Sequence, residues 1–337
     1  MKVSVTICIP SYNRPAELHR LLKSIDSNST SLVDILVCED KSPKRKEISD
    51  VVTAFKNNTT YKVTYIENEH NLGYDKNIQN LVANATGDFI VFMGDDDTFI
   101  PGAIDLLIKF LGQNSELGYV LKSHRFHFNN GKTEEFKYFD ANTFFEKGID
   151  TYIALFRRSV FISGFIISRH AVKGLQTSQF DGGLLYQLYL LAETAMHYRC
   201  AYFDTPLTQA DEEGIPYFGN SEAEKGLYTP GTITVENSLQ FLSGFFDITT
   251  FIDKKYNIES TVKIKHDMSK YFYPSLAIQR NKGIKTFLSY VKKLNAMGFN
   301  SSFYYYIYVS ALTVFGKNIC DNTVLTLKRI IGKTPQL

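Results

Sequence analysis

The sequence is poor in the features that mark several classes of protein. Its four cysteines are far apart and lack the close spacing of paired metal ligands. They indicate reduced thiols rather than a disulfide framework. No run reaches the roughly 20 apolar residues that cross a bilayer. A formal net charge of +2 argues against a protein built wholly around nucleic acid. A cytosolic location is expected.

What is present is an ordinary globular composition. Hydrophobic residues make up 44% of the 337 residues and charged residues 21%. These fractions exclude disorder and fibrous repeats for most of the chain. At roughly 100–200 residues per domain, the length allows two domains, or one large domain with an appendage.

The charges are divided unevenly along the chain. From residue 251 onward there are 14 Lys or Arg and 4 Asp or Glu, a net charge of +10, whereas residues 1–250 carry −8. An aromatic run at 303–315 lies in the basic part. Basic and aromatic side chains together suit a surface that rests on anionic lipid headgroups. A solvated basic face on a helical domain is the alternative. No nucleic-acid motif accompanies the charge, so nucleic acid is not expected as a partner.

Apolar periodicity in the first hundred residues predicts a regular alternation of elements. Strands are predicted at 3–9, 34–38, 62–67 and 88–93, and helices at 17–25, 48–57 and 74–85. Such alternation predicts an α/β fold with a parallel sheet that helices cover on both faces. Ligands of these sheets bind at the carboxyl ends of the strands.

The residues that follow the four predicted strands are mostly polar. In strand order they are Pro10-Ser11-Tyr12-Asn13-Arg14, Glu39-Asp40-Lys41-Ser42, Asn68-Glu69-His70-Asn71-Leu72-Gly73 and Gly94-Asp95-Asp96-Asp97. Because parallel strands bring their carboxyl ends together, we expect one crevice lined by carboxylates, amides and an aromatic ring.

Taken together, these segments resemble a family 2 glycosyltransferase of the GT-A fold. The resemblance covers about residues 3–110 and rests on the order and spacing of the four segments, with Asn77 and Gly87-Asp88 between them. It extends less specifically to Phe161–Arg169, which is similar to a strand on the acceptor side. The Gly-Asp-Asp-Asp form is similar to a bacterial subgroup that includes abequosyltransferases, which act on lipopolysaccharide O-antigen units. No G-x-G-x-x-G follows the first strand, which disfavours an unrelated dinucleotide-binding domain.

The resemblance implies an organisation and an activity. Residues 1–110 would be the nucleotide-sugar-binding half of the GT-A domain, 111–225 the acceptor-binding half, and 226–337 a mostly helical basic region. The activity implied is transfer, with inversion, of one sugar from a UDP, CDP, GDP or dTDP sugar to a saccharide acceptor. The basic aromatic tail suggests an acceptor linked to polyprenyl diphosphate, with the protein peripheral on the inner face of the cytoplasmic membrane.

The Asp triplet predicts a cation site. A departing nucleoside diphosphate needs a positive counter-charge, and Mg²⁺ or Mn²⁺ prefers hard oxygen ligands. We expect Asp96 to be the direct ligand, with Asp95 or Asp97 supporting it. The family usually has Asp-x-Asp-Asp, and aligning the apolar strands puts Gly94 at the first Asp position. A solvated acidic turn or a helix N-cap is the alternative.

Tyr12 and a carboxylate after the second strand are expected to hold the nucleoside. An aromatic ring can stack on a base, and Glu39 or Asp40 can accept a hydrogen bond from the base or the ribose. The family commonly has Asp where this chain has Glu39. The other residues expected at the nucleotide are Pro10, Asn13, Arg14, Asn71, Gly73, Asn77 and Asp95. Structural or surface roles are the alternatives for Tyr12, Asn13, Arg14 and Asn77.

An inverting transfer also needs a general base to take the proton of the acceptor hydroxyl. The candidates are Asp181, in a Gly-flanked turn, and Glu193, in an apolar helix pattern starting at 184. An N-cap and a solvated helix face are their respective alternatives. The acidic loop at 211–213 is either a mobile lid or plain surface.

The histidines are expected to be mainly structural. His124 and His127 have no third ligand nearby in the sequence. His197 is a weaker candidate for the cation's shell.

Two rival functions compete with the transferase. One is a non-catalytic binding protein on a degenerate GT-A scaffold, which the intact Asp triplet disfavours. The other is a sugar nucleotidyltransferase, which the absence of a Gly-rich, basic phosphate loop near residue 1 disfavours.

Overall fold

A computed structural model describes residues 2–212 and 218–331, with side chains up to residue 326. The chain forms two compact units. One comprises Met1–Ile215 and Asn220–Lys225, and the other Pro216–Gly219 and Gly226–Leu337. Of the acidic loop predicted at 211–213 as either a lid or plain surface, Asp211 ends a strand, the Glu212 N–H donates to the His127 carbonyl at 2.9 Å, and Glu213 lies outside the described residues.

The first unit is built on one mixed sheet of ten strands within the described residues. In chain order they are β1 (Val5–Ser11), β2 (Val33–Glu39), β3 (Lys62–Glu67), β4 (Phe89–Phe92), β5 (Thr98–Phe99), β6 (Tyr119–His127), β7 (Thr133–Phe136), β8 (Thr143–Phe145), β9 (Phe165–Ser168) and β10 (Cys200–Asp211). Their order is β3-β2-β1-β4-β9-β6-β10-β5, while β7 pairs with β6 and β8 with β10. The four strands predicted from the sequence are present.

The directions of the strands determine which of them end at the same edge of the sheet. Strands β1 to β4 are parallel, as predicted. Strand β9 is antiparallel to both β4 and β6, and β10 is parallel to β6. Strands β1–β4, β6 and β10 therefore end at the same edge, which we call the carboxyl edge.

Helices cover both faces of this sheet, as the alternating pattern predicted. They are α1 (Pro15–Ser24), α2 (Arg45–Asn57), α3 (Tyr74–Asn84), α4 (Ala103–Gln113), α5 (Ile149–Phe156), α6 (Arg169–Val172) and α7 (Tyr186–His197). Alternate residues of β1, such as Ile7, pack with the apolar sides of α1, α2 and α4. The residues between them face α3, where the Cys8 sulfur lies 4.0 Å from the Leu81 carbonyl oxygen. This two-sided burial follows from the period of two along a strand.

The second unit is helical, which confirms the prediction for the C-terminal region. Its helices are α8 (Val235–Tyr256), α9 (Ser260–Ser269), α10 (Tyr273–Asn281), α11 (Ile284–Ala296) and α12 (Phe303–Ile331). The Thr234 side chain caps α8 by accepting the Asn237 N–H at 3.0 Å. Gly316, with φ of 72°, interrupts α12. Across the described residues, every helix is too short or too polar to cross a membrane.

Candidate active site

The Asp triplet lies on a tight turn directly after β4, at the carboxyl edge. The Asp97 N–H closes this turn on the Gly94 carbonyl at 3.3 Å. The three carboxylates contact different partners. Asp95 faces the segment after β1, Asp96 has the most exposed side chain at 31%, and Asp97 is buried against Ser163.

Arg14 links the end of β1 to the end of β4. Its guanidinium lies 3.3 Å from Asp95 and also forms an ion pair with Asp96. The Tyr12 N–H donates to Asp95 at 3.2 Å. Burial, and then the charge of Asp96, raise the pKa of Asp95 to about 7, while Arg14 acts in the opposite direction. The Arg14 side chain is only 14% exposed, so the alternative of a plain surface arginine is wrong.

Behind Asp97 lies a polar cluster that the sequence did not reveal. The Ser163 hydroxyl donates to Asp97 and accepts the Gly94 N–H at 3.0 Å. Lys122, on β6, is 4% exposed and donates to Thr208 on β10. Burial lowers the pKa of Lys122 to about 7, and the charge of Asp97 opposes that shift. Strand pairing joins these residues, so their spacing along the chain carried no signal.

The oxygen donors at the turn fit a hard divalent cation. Gly94 has no side chain, and the point where its β-carbon would lie is 2.9 Å from Asp96 Oδ1 and 3.6 Å from Asp97 Oδ2. Two carboxylate oxygens therefore lie close to Gly94, and such oxygens are the ligands that Mg²⁺ and Mn²⁺ prefer. Within residues 2–212 and 218–331, no three His, Cys, Asp or Glu side chains gather as a metal-binding group. Any cation here would need further oxygen ligands from its substrate or from water.

Glu39 ends β2 with a fully buried carboxylate. It accepts the N–H groups of Lys41 at 3.0 Å and Ser42 at 2.6 Å, and Arg45 Nε lies 2.7 Å from it. Arg45 also donates to the Asn68 carbonyl after β3. Glu39 thereby fixes the loop after β2, and Arg45 joins it to the next strand.

Asp40 organises the loop after β3. Its carboxylate accepts the N–H groups of Leu72 and Gly73, each at 2.8 Å, and the side-chain amides of Asn68 and Asn71 at 2.8 and 3.0 Å. Burial raises the pKa of Asp40, and the bond from Leu72 is the largest opposing contribution. The structure therefore places Asp40 beside Asn71 and Gly73.

The remaining predicted nucleotide residues surround these carboxylates. Pro10 and Tyr12 lie at the end of β1 and are half-buried, and Asn13 has a left-handed backbone with φ of 64°. Asn77, on α3, donates to the Cys38 carbonyl at 3.1 Å and accepts from Asn68 at 3.2 Å. The Asn71 side-chain oxygen accepts the Ala223 N–H at 2.7 Å. The strand ends thus come together at one edge, as the sequence predicted.

Asp75 is a further residue that the sequence analysis missed. This buried carboxylate on α3 accepts the N–H groups of Gly182, Leu184 and Tyr186 at 2.9–3.0 Å. Burial raises the pKa of Asp75 to about 6. It holds the segment before α7 against the start of α3, at the carboxyl edge.

Asp181 lies on that same segment. Gln79 donates to it at 3.3 Å and Lys76 lies 3.5 Å away, both on the first turns of α3. Its side chain is 24% exposed. The N-cap residue of α7 is Leu185, and the Asp75 carboxylate accepts the Tyr186 N–H at the start of this helix. The alternative of Asp181 as the N-cap is therefore wrong.

Glu193 lies towards the other end of α7. It is 3% exposed, so the alternative of a solvated helix face is wrong. Its neighbour Thr194 packs against Gly118, which precedes β6 at the edge opposite the Asp triplet. His197, which ends α7, lies towards that opposite edge as well. The structure therefore separates Glu193 and His197 from the predicted cation site.

His124 packs in an aromatic cluster beside Lys122. Its ring stacks on Phe136 at 5.0 Å between centroids and tilts against Phe161 at 4.7 Å. Burial, with the charge of Lys122, lowers the pKa of His124 to about 3. His127 lies 3.3 Å from Asp211. Both contacts support the structural interpretation of these histidines.

A cavity of about 690 Å³ lies away from the Asp triplet, at the opposite edge of the sheet. Val3, Asp88, Arg169 and Tyr198 contribute to its lining. Its lining contains none of the predicted site residues. Volume alone therefore does not locate the chemistry in this protein.

Comparison with known proteins shows which family and which enzymes the chain resembles. Residues 6–165 match Glycosyl transferase family 2. The abequosyltransferase RfbV of Salmonella typhimurium is 28% identical over 113 residues, which are 34% of each chain. The GalNAc(5)-diNAcBac-PP-undecaprenol beta-1,3-glucosyltransferase of Campylobacter jejuni is 25% identical over 105 residues, 31% of this chain and 33% of that protein. The matched part of the chain thus spans about a third of the length of these relatives.

Solved structures extend the likeness to the fold of almost the whole chain. S. aureus TarS 1-349 in complex with UDP has a TM-score of 0.57 at 12% identity, covering 98% of this chain and 93% of that one. The mannosyltransferase PcManGT of Pyrobaculum calidifontis, in complex with GDP-Man and Mn²⁺, has a TM-score of 0.50 at 14% identity, covering 94% and 89%. The fold is therefore GT-A, and residues 6–165 are similar to glycosyl transferase family 2.

Proposed function

We propose that this protein transfers one sugar, with inversion and with Mg²⁺ or Mn²⁺, from a nucleotide-sugar donor to a lipid-linked saccharide acceptor in bacterial surface polysaccharide synthesis. The observation that carries the proposal is the Asp95-Asp96-Asp97 turn, joined through Arg14 to the end of β1 at the carboxyl edge. The relatives named for abequosyl and glucosyl transfer support the polysaccharide assignment.

The cation would be held by Asp96 with Asp97 or Asp95 beside it. It would supply positive charge to the diphosphate that leaves the donor sugar. Arg14 already carries a positive charge at this turn, and it would bind the same diphosphate. The neighbouring structure with GDP-Man and Mn²⁺ supports this combination of ligands.

The nucleoside would bind beside Tyr12, near Pro10 and Asn13. A half-buried aromatic ring at the end of β1 supplies a surface on which a base can stack. Glu39 and Asp40, with Asn71, Gly73 and Asn77 around them, would form the floor of the pocket. Their carboxylates are occupied by loop N–H groups, so we assign them to shaping that floor.

Asp181 is the general base in this proposal. It is partly exposed, and its segment is fastened at the carboxyl edge by Asp75. A base must come within hydrogen-bond reach of the acceptor hydroxyl, and a partly exposed carboxylate at the site edge satisfies that condition. Buried Glu193 at the other end of α7 does not.

Donor binding and donor turnover test the transferase. Thermal shifts should be measured with UDP, CDP, GDP and dTDP, each with Mn²⁺ and with EDTA, because a ligand of the native state raises the melting temperature. We expect a metal-dependent shift with one nucleotide that Asp96→Asn abolishes. Asp26→Asn, an exposed carboxylate outside the site, is the matched control. The absence of a shift with all four nucleotides would favour the non-catalytic binding protein instead.

We propose that the second unit binds the membrane that contains the lipid-linked acceptor. Helix α12 exposes a series of large apolar side chains: Phe303 at 75%, Tyr304 at 52%, Ile307 at 44%, Val314 at 72% and Phe315 at 58%. Combined with the basic charge from residue 251 onward, this composition suits an anionic lipid surface.

Flotation with liposomes tests that partner. Wild-type protein should bind liposomes that contain anionic lipid at low salt and leave them at high salt, because screening weakens the attraction. The double variant Phe303→Ser/Phe315→Ser should bind less. Val262→Ser, on α9 and 67% exposed, removes a comparable apolar side chain outside α12 and should bind normally. No binding of wild type at low salt would contradict the proposal.

A further inference from the structure

An apolar cavity of about 340 Å³ lies inside the second unit. Side chains from α8, α9 and α10 form most of its wall, among them Phe241, Leu242, Phe245 and Met268, and Phe272 just before α10 adds to it. Ligand pockets occupy about 300–1,000 Å³ and have mainly hydrophobic walls with a few polar groups. The cavity therefore has the size and the chemistry of a binding site for an apolar molecule.

Two polar side chains on its wall, Asn237 and Ser238, already have partners within the second unit, whereas the buried Tyr290 hydroxyl has no hydrogen-bond partner among the described residues. Asn237 accepts the Thr229 N–H at 2.9 Å and donates to the Thr229 and Thr232 carbonyls at 2.8 and 2.6 Å. Ser238 donates to the Thr234 carbonyl at 2.8 Å and accepts from Gln279 at 3.2 Å. Cavities with mainly apolar walls take up apolar molecules. The wall thus suits a hydrocarbon chain.

Ile233, at 37%, is the most exposed residue of the wall and marks the mouth of the cavity. Lys282 donates to the Ile233 carbonyl, so an ammonium group lies beside that mouth. Lys282 also lines an adjoining cavity of about 400 Å³ together with Thr286 and Ser289. Glu236, on the same wall, is paired with Lys293 at 3.2 Å, which balances its negative charge.

A mainly apolar cavity with a cation and hydroxyl groups beside its mouth fits an amphiphile that has a hydrocarbon chain and an anionic head. We propose that the cavity holds part of the isoprenoid chain of a polyprenyl phosphate, with the phosphate near Lys282. The choice of this lipid rests on the lipid-linked acceptor of the proposed function. The second unit would then recognise the carrier of the acceptor, while the first unit binds the donor.

Titration calorimetry with farnesyl phosphate tests the inference on the full chain, below the concentration at which the lipid forms micelles. Ser275→Leu adds bulk inside the cavity, and Ser301→Leu makes the same change at an exposed position outside it. Ser275→Leu should weaken binding by about tenfold or more because added groups in a filled cavity clash with the ligand. Ser301→Leu should bind as wild type does.

The variant Lys282→Met distinguishes binding of the phosphate head from binding of the hydrocarbon chain. It also tests the proposal if Ser275→Leu does not fold. It should weaken binding of farnesyl phosphate by about tenfold while leaving binding of farnesol, which has no phosphate, unchanged. Inorganic phosphate alone should not bind. Equal binding of both lipids to wild type would overturn the assignment of the phosphate, and normal binding by Ser275→Leu would overturn the assignment of the cavity.

Nucleotide binding in the same samples keeps the two proposals distinguishable. If a nucleoside diphosphate binds through Asp96 and farnesyl phosphate does not bind, the cavity assignment is wrong and the transferase proposal stands. If farnesyl phosphate binds through the cavity and no nucleotide binds, the lipid site stands without the transferase.

Discussion

Lys122 occupies the space that a side chain on Gly164 would need. A β-carbon on Gly164 would lie 2.2 Å from Lys122 Cε, and the Gly164 backbone has φ of 79°. The chain can therefore pass from Ser163 to β9 above a buried lysine only because residue 164 is glycine. This passage holds Ser163 against Asp97.

Gly164→Ala should destabilise the protein by about 2–4 kcal/mol, because backbone strain and a steric clash combine. Gly174→Ala is the matched control, since Gly174 has φ of 83° but nothing within 4 Å of its β-carbon position. This variant should lose about 1 kcal/mol of unfolding free energy, because it has the backbone strain without the clash. Chemical denaturation measures both free energies of unfolding. Equal losses in the two variants would contradict the clash with Lys122.

Asp75 should make stability depend on pH. Its pKa is raised from 3.8 to about 6 in the folded protein, so the unfolded chain loses this proton first as the pH rises. The free energy of unfolding should therefore fall between pH 4 and pH 6 by an amount on the order of 1–3 kcal/mol from this group. Below pH 4 the contribution is retained, because both states are protonated.

The variant Asp75→Asn isolates this effect. It cannot ionise, so the difference between wild type and variant should shrink as the pH rises from 4 to 6. Denaturation curves at several pH values give that difference. Asp26→Asn, at an exposed carboxyl group, should follow wild type throughout. A difference between wild type and Asp75→Asn that stays constant with pH would show that folding does not raise the pKa of Asp75.

Ser163 should act as a positioning residue for the Asp turn. Ser163→Ala removes the buried donor to Asp97 and the partly buried acceptor for the Gly94 N–H, at a cost of about 1–3 kcal/mol. Under the proposed function, kcat should fall by about tenfold or more because the turn loses its geometry.

Ser159→Ala is a control of the same chemistry. Ser159 is also buried and hydrogen-bonded, to Tyr119 at 2.8 Å, but Tyr119 begins β6 at the opposite edge. This variant should lose stability and keep its kcat once folded. Equal kcat values for the two variants would contradict the positioning role.

The two predicted bases should behave differently. Asp181→Asn should lower turnover by about 100-fold or more and leave donor binding intact, because the base acts on the acceptor hydroxyl and not on the nucleotide. Glu193→Gln should affect stability and keep turnover within about threefold of wild type once folded. Turnover assays with donor-binding titrations measure both. Normal turnover in Asp181→Asn would exclude it as the base.

The N-terminal part of the fold was predictable because its signals are local. Strands β1 to β4 are short apolar runs, and helices such as α1 show a buried side with period 3.6. Polar residues after each strand then predicted the crevice, since parallel strands share an edge.

The rest could not be read from the sequence because long-range pairing determines it. Strand β6 carries Lys122, His124 and Arg125, so it lacks the apolar run that marked the earlier strands, and β10 pairs with it from far along the chain. The same limit hid Asp75, whose partner Tyr186 is 111 residues away. Only the folded sheet brings such groups together.

Strand β4 has β1 on one side and β9 on the other. A polypeptide ending near residue 110 would contain β1 but not β9, and the apolar strand Phe89–Phe92 would become an unprotected edge. Unprotected edges pair with other chains and aggregate. During synthesis the same edge stays without its partner until residue 168 has left the ribosome. Residues 1–110 are therefore not a self-sufficient folding unit, because β4 needs the later strand β9 to protect its edge.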